Sequence, residues 1–231
     1  MASTRTDELT EGTFLARLTP AEREGVEAIG HSTSFPRGSV MMFEGEPEER
    51  LLLVLSGRVK VTRFGPDGRE VIIGLRDPGD LVGELAFIDR QPRSATVVAL
   101  EPVTALVMPG SHFREHLEQT PRVAVVLLEV VAGRFRESTL NHLQFAALDT
   151  MGRLSARILE LARRYGEEVD GRIDIELPLS QEELASWTGA SRTGVAQALQ
   201  SMRELKWLDT ERGRMTITDL EALRTRANAT P

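Results

Sequence analysis

The sequence predicts an α+β chain: a small antiparallel β-roll first, one long helix next, and a winged helix-turn-helix at the C-terminal end. Three observations carry that prediction. Residues 35–108 fall into short β-rich runs punctuated by glycine. Residues 121–147 sustain a helical pattern with no proline after the first position. The stretch SQEELASWTGASRTGVAQALQSMRELKWL, residues 180–208, holds two capped helical segments with a bend at Gly189.

Length and composition agree with this layout. A chain of 231 residues accommodates two modest domains. With 41% apolar and 27% charged residues it has the balance of a packed globular protein. No apolar run reaches the roughly 20 residues that span a bilayer, and the opening MASTRTDELTEG lacks the apolar core of a signal peptide. A cytoplasmic protein with no membrane contact is therefore expected. The absence of cysteine removes disulfides, thiolate metal sites and cysteine nucleophiles. His112 and His116 stand four apart, but no third ligand joins them in sequence, so no metal is expected. No nucleophile with a base is visible either, so an enzyme is not expected.

The net charge of −7 is uneven. Residues 150–231 carry 12 Arg and Lys against 13 Asp and Glu, whereas residues 187–231 carry 7 against 5. An acidic front and a mildly basic tail suggest domains with different partners.

Taken in order, residues 13–30 read as a short helix or two, with Thr19 as cap and Pro20 at the first helical position. In SGRVKVTRF, Val59 and Val61 alternate with Arg58, Lys60 and Thr62, which is a half-buried strand. Gly65-Pro66-Asp67-Gly68 between two such runs signals a hairpin turn. Residues 111–118 form a short helix, and Pro121 opens a long one running to about Ala147. Along it Leu127, Val131, Arg134, Ser138, Asn141, Phe145 and Leu148 recur at alternating spacings of 4 and 3, the signature of a helix-pairing seam with a polar middle. A homodimer is expected through that seam, with a fortuitous pattern on an exposed helix as the competing account.

Asp149 supplies a cap, and Gly152 marks a joint between domains. Arg153 to Tyr165 is a further amphipathic helix. Ser180 with Glu183 makes a capping box. Gly189 is the bend, Ser191 caps the second helix, and Leu184, Ala185, Val195, Ala198 and Leu199 form the wedge between them. TERGRMTITD then reads as a β-hairpin wing. The domains expected are residues 1–120 (β-roll), 121–148 (long helix) and 149–231 (winged helix-turn-helix).

The stretch GELAFIDRQPRSATVVAL, residues 83–100, carries the chemistry. Gly83 lets a ligand approach the backbone. Glu84 accepts from hydroxyls, Arg93 offers a planar donor fork, and Ser94 with the Ala95 amide adds neutral donors. Together they suit a ribose phosphate; an ordinary helical turn with a surface ion pair is the alternative. No Gly-Lys-Thr phosphate loop and no G-x-G-x-x-G are present, which leaves nucleoside triphosphates and dinucleotides without support.

From about residue 13 to 223 the chain resembles bacterial transcription regulators of the cyclic-AMP receptor protein/fumarate–nitrate regulator superfamily, in the branch like the cyclic-AMP receptor protein. The resemblance is carried by Gly83-Glu84-Leu85-Ala86…Arg93-Ser94-Ala95, by the long helix ending Phe145-Ala146-Ala147-Leu148-Asp149, and by the helix-turn-helix around GASRTGV. It implies a cyclic-nucleotide-binding β-roll in which Glu84 meets the ribose 2′-hydroxyl, and Arg93, Ser94 and the Ala95 amide hold the cyclic phosphate. Ser138 and Thr139 match the positions that read adenine, one from each subunit, and Arg134 matches a basic residue beside the pocket. The effector implied is cyclic AMP, with cyclic GMP open because a hydroxyl pair bonds either purine. Iron–sulfur sensing needs cysteines the chain lacks, and no histidine stands in the cassette to suggest haem.

For DNA, the resemblance implies contacts from Ser180, Ser191, Arg192, Thr193 and Gln197. The last three occupy the positions that in the family usually hold Arg, Glu and Arg. Thr193 cannot accept from cytosine as glutamate does, so a half-site different from the familiar TGTGA is expected. The implied partners are double-stranded DNA, a second copy of the chain and RNA polymerase, with Asp149 to Gly152 as hinge. Two other readings stand beside this one: a family member that binds DNA without ligand, and a nucleotide-binding module acting on protein partners.

Overall fold

The computed structural model describes residue 10 and residues 12–47, 49–65, 68–176, 179–211 and 213–228, with the side chains of Gln144 and Phe145 outside that description. Two compact units result: Met1–Gly65 with Ile72–Arg136, and Pro66–Val71 with Glu137–Pro231.

In the first unit, a 3-10 turn at Leu15–Arg17 leads to helix α1 (Pro20–Glu27). Thr19 caps it as expected, and with Glu22 closes a reciprocal capping box. Strands β1 (His31–Phe35), β2 (Val40–Met42), β3 (Arg50–Ser56), β4 (Val59–Phe64), β5 (Glu70–Arg76) and β6 (Leu81–Val82) follow. Then come helix α2 (Glu84–Asp89), strands β7 (Thr96–Ala99) and β8 (Val103–Pro109), helix α3 (Gly110–Gln119) and the long helix α4 (Pro121–Ala147). The strands form two antiparallel sheets, in the orders β1-β8-β3-β6 and β2-β7-β4-β5. The Gly65–Gly68 turn lies between β4 and β5, with Pro66 and Asp67 outside the described residues.

Strand β3 shows why its sequence is a continuous apolar run. Leu52 and Val54 join one core with Val59, Val82 and Val97, while Leu51 and Leu53 join another with Phe14, Phe113 and Val126. Both faces of the strand are buried, so alternation with polar residues is lost.

Helix α4 corrects the predicted seam. Val123, Val126, Leu127 and Val130, at i, i+3, i+4 and i+7, are buried in the core of the first unit. Leu127 therefore faces inward. Asn141 accepts a hydrogen bond from Arg157 on the next helix, and Phe145 has no described side chain. The exposed ridge is Val125, Leu128, Ala132, Phe135, Thr139, His142 and Ala146, again spaced by 3 and 4 but out of phase with the predicted set. Phe135 is 73% exposed, the most of any large apolar side chain described.

The second unit opens with helix α5 (Thr150–Tyr165), then β9 (Gly166–Val169), β10 (Arg172–Glu176), α6 (Gln181–Thr188), α7 (Arg192–Glu204), β11 (Leu208–Glu211), β12 (Arg214–Ile217) and α8 (Leu220–Asn228). Its strands pair in the order β11-β12-β10-β9. Asp149 caps α5 by accepting from the Gly152 N–H at 2.9 Å. Gly152 is thus inside the helix and not in a joint. A Cβ there would meet the Arg226 carbonyl oxygen and the Leu148 side chain at 3.2 Å, so glycine permits close packing against α8. The break in helical structure is at Leu148 and Asp149.

Candidate functional site

The turn between β6 and α2 begins at Gly83, whose φ of +87° is the left-handed conformation that glycine tolerates. Glu84 is the first residue of α2 and is 8% exposed. Ten residues on, Arg93 returns to the same place. Its Nη1 donates to the Gly83 carbonyl at 2.9 Å and its Nη2 donates to the Arg50 carbonyl. Its backbone is fixed as well, through Gly45 N–H to Arg93 O at 2.9 Å and Arg93 N–H to Glu46 O at 2.8 Å.

These residues line an open cleft of about 520 Å³, mouth included, with Leu85, Ala86, Ser94 and Ala95. Met42, Val61, Ile73, Val82 and Val97 supply apolar walls, and Ile73 and Leu85 are 50% and 43% exposed. The cleft therefore combines hydrogen-bonding groups at one side with apolar surface at the other, the composition of a small-molecule site. Arg76, at the end of β5, is a second guanidinium in the lining that the sequence did not single out.

Arg134 is not part of that lining. It lies behind Glu84, donating to Glu84 Oε1 at 2.6 Å, Asp80 Oδ1 at 2.8 Å and the Leu81 carbonyl at 2.9 Å. Burial opposes its charge, but the Glu84 and Asp80 carboxylates outweigh that and hold its pKa above the ordinary guanidinium value. Glu84's ion pair therefore runs to Arg134, and its Oε2 has no hydrogen-bond partner among the described residues. Asp80 is the residue sequence reasoning missed. Its own support is local, the Asp77 N–H donating to Asp80 Oδ2 at 3.0 Å.

Ser138 and Thr139 are exposed, in the part of α4 that belongs to the second unit, and the cleft residues belong to the first.

The helix-turn-helix is built as its local signals specify. Ser180 accepts from the Glu183 N–H at 3.2 Å, and the Glu183 carboxylate accepts from the Ser180 N–H at 2.8 Å. Gly189 ends α6 with φ +60°. Ser191 caps α7 by accepting from the Gly194 N–H at 3.0 Å. Leu184, Ala185, Val195, Ala198 and Leu199 are all buried. Ser180, Ser191, Arg192, Thr193 and Gln197 are exposed, the last three along α7, and Gln200 extends the same face. The hairpin β11–β12 follows, with Arg212 outside the described residues. Helix α8, unforeseen from sequence, is capped by Asp219, which accepts from the Ala222 N–H at 2.9 Å; an Asp before an apolar-periodic run is a signal that could have found it.

Among the described residues no group of three or more His, Cys, Asp or Glu is placed to hold a metal ion, and no helix is long and apolar enough to cross a membrane.

Comparison with known proteins follows this division of the chain. Residues 32–120 match the family described as "Cyclic nucleotide-binding domain", and residues 152–226 match "Crp-like helix-turn-helix domain". The chain is 36% identical over 193 residues to the "CRP-like cAMP-activated global transcriptional regulator" of Mycobacterium tuberculosis, covering 84% of this chain and 86% of the relative. It is 29% identical to the "Global nitrogen regulator" of Synechococcus elongatus, over 82% of this chain and 86% of that one. The solved structure of FixK2 from Bradyrhizobium japonicum shares the fold at a TM-score of 0.77 and 21% identity, over 88% of this chain and 100% of the other.

Proposed function

The chain belongs to the cyclic-AMP receptor protein/fumarate–nitrate regulator superfamily of dimeric DNA-binding transcription regulators, which are not enzymes, and from that premise we propose that its operator affinity responds to a cyclic nucleotide, cyclic AMP first. The observation that supports this most is the convergence of Gly83, Glu84, Arg93, Ser94 and Ala95 on one cleft. In this reading Glu84 accepts from the ribose 2′-hydroxyl through Oε2, since Arg134 occupies Oε1. The planar N–H donors of the Arg93 guanidinium stand in the lining of this cleft. With the Ser94 hydroxyl and the Ala95 amide they bind the cyclic phosphate, and Ile73 and Leu85 cover the base. Cyclic AMP is preferred to cyclic GMP because the mycobacterial relative is a cAMP-activated regulator.

Two copies pair along the exposed ridge of α4, which buries its exposed apolar members Val125, Leu128 and Phe135. Ser138 and Thr139, one from each copy, then reach the base, and nucleotide acts through its different affinity for two arrangements of the reading heads. The heads must stand about 34 Å apart to enter successive major grooves. There Ser180 and Ser191 meet the backbone, while Arg192, Thr193 and Gln197 meet base edges. The protein works in the cytoplasm, with RNA polymerase as its further partner.

One observation favours a second reading, in which the protein binds DNA without nucleotide: Glu84 and Arg93 already have protein partners that hold the cleft together. Calorimetric titration with cyclic AMP and cyclic GMP, paired with DNA binding with and without each, separates the two. Under the first reading Arg93→Ala weakens cyclic AMP at least about tenfold, the loss of one charge-assisted contact. Equal affinity in parent and variant would remove the assignment.

A further inference from the structure

The second unit contains one side chain that touches three helices. Arg157 lies on α5, one turn before Glu160. Its Nη1 donates to Asn141 Oδ1 on α4 at 3.1 Å and to Glu160 Oε2 at 2.8 Å. The guanidinium carbon lies 4.9 Å from the ring centroid of Trp187 on α6. The surroundings make this a built contact. Trp187 is 3% exposed, the Arg157 and Glu160 side chains are 15% and 12% exposed, and Arg164 holds Glu160 from the next turn at 3.3 Å.

The position of these partners in the chain gives the contact a consequence. Asn141 stands three residues after Ser138, on the same face of α4. Only Leu148 and Asp149 separate α4 from α5. On the other side, Trp187 is in the last turn of α6, and Gly189 to Ser191 lead directly into α7. A planar guanidinium can bond an acceptor edge-on while stacking face-on, which an ammonium cannot. A turn of α4 about the Leu148–Asp149 break would therefore carry Asn141, pull on Arg157, and reach α6 through Trp187.

We propose that Arg157 is a positioning residue that fixes the angle between the end of α4 and the DNA-reading pair α6–α7. In that role it transmits movement of Ser138 and Thr139 to the recognition helix; this last step rests on the cyclic-nucleotide reading above.

The absence of cysteine allows a direct test. Nitroxide labels go on Leu140→Cys and Gln200→Cys, both at exposed positions, with excess unlabelled chain added so that only distances within one chain are read. The parent should give one narrow distance distribution. Asn141→Ala, which removes the acceptor of the Arg157 hydrogen bond, and Arg157→Lys, which keeps the charge and loses the plane, should each broaden it. In parallel, cyclic AMP affinity should stay within about twofold of the parent while the ratio of DNA affinities with and without cyclic AMP falls by about tenfold, a typical coupling between sites. The double variant should lose no more than either single one, because both break one link. Unchanged distributions in both variants would overturn the proposal, as would, in a parent whose DNA binding responds to cyclic AMP, a lower melting temperature with an unchanged affinity ratio. Broadened distributions in a protein whose DNA binding ignores cyclic AMP would support the clamp and remove the nucleotide reading.

Discussion

Replacing Arg134 with methionine isolates the ion cluster beneath Glu84. The Arg134, Asp80 and Glu84 side chains are 15%, 10% and 10% exposed, so each charge has lost most of its water. With charge centres about 4 Å apart and an effective dielectric near 20, each carboxylate gains roughly 4 kcal/mol from the guanidinium. Desolvation costs several kcal/mol per ion and cancels most of that gain. Removing the cation leaves the desolvation in place without the attraction, and sets two carboxylates against each other. The expected loss is about 3–5 kcal/mol, with little cavity cost because methionine retains most of the stem. At an m-value near 2 kcal/mol/M this is a shift of roughly 1.5–2.5 M urea.

The chain's own chromophores provide the control. Trp187, Trp207 and Tyr165 all lie in the second unit. Tryptophan fluorescence therefore reports that unit, while far-UV circular dichroism reports both. At fixed protein concentration, Arg134→Met should move the dichroism transition of the first unit and leave the fluorescence transition in place. Adding Asp80→Asn and Glu84→Gln should restore most of the loss, because no unpaired charge remains. A loss below about 1 kcal/mol, the range of an exposed pair, would refute the account.

Gly83→Ala should cost about 1–2 kcal/mol from its left-handed φ and also weaken cyclic AMP in calorimetry, because the new Cβ would stand 2.5 Å from Arg93 Nη1. Gly38→Ala is the control, with φ +80° and nothing within 4 Å of the added carbon; it should show the strain and no effect on nucleotide. Asp149 has its carboxyl held below the usual range, first by the Gly152 N–H and then by Arg226 against some desolvation. A depressed folded pKa means that its contribution is complete above the unfolded value near 3.9 and is lost as pH falls through the folded value. Asp149→Asn, which still caps, should flatten the acid limb of the fluorescence-detected stability profile. Selection from random duplexes should return half-sites other than TGTGA, since Thr193 offers no carboxylate to cytosine; recovery of unmodified TGTGA would show that Thr193 does not set that base.

What the sequence made legible was written locally. The helix-turn-helix could be placed because Ser180, Glu183, Gly189 and Ser191 act within three or four residues of themselves, and caps and left-handed glycines have few alternative uses. The bounds of α4 were readable for the same reason, with Pro121 at its start and no apolar ambiguity needed to find them. The cassette around Gly83 and Arg93 was readable as chemistry, although its distances were not. That Arg93 binds the Gly83 and Arg50 carbonyls, and that Glu84 pairs with Arg134, depends on partners 10 to 50 residues away.

The misphased seam on α4 has a more general cause. The helix carries apolar residues on two sides, Val123, Val126, Leu127 and Val130 toward the core, and Val125, Leu128 and Phe135 toward water. A periodicity argument finds a repeat of 3.5 in either set, or in a mixture of both, and Leu127 belonged to the wrong one. Only the packing of α4 against its own β-roll decides which stripe is already used. Once it does, Arg134 is committed to Asp80 and Glu84, Asn141 to Arg157, and Thr139 falls on the exposed ridge. Two polar positions in the middle of the helix are thus spent on contacts within the chain, Arg134 in the first unit and Asn141 in the second. A substitution at either position removes no side chain from the exposed ridge and breaks contacts within its own unit.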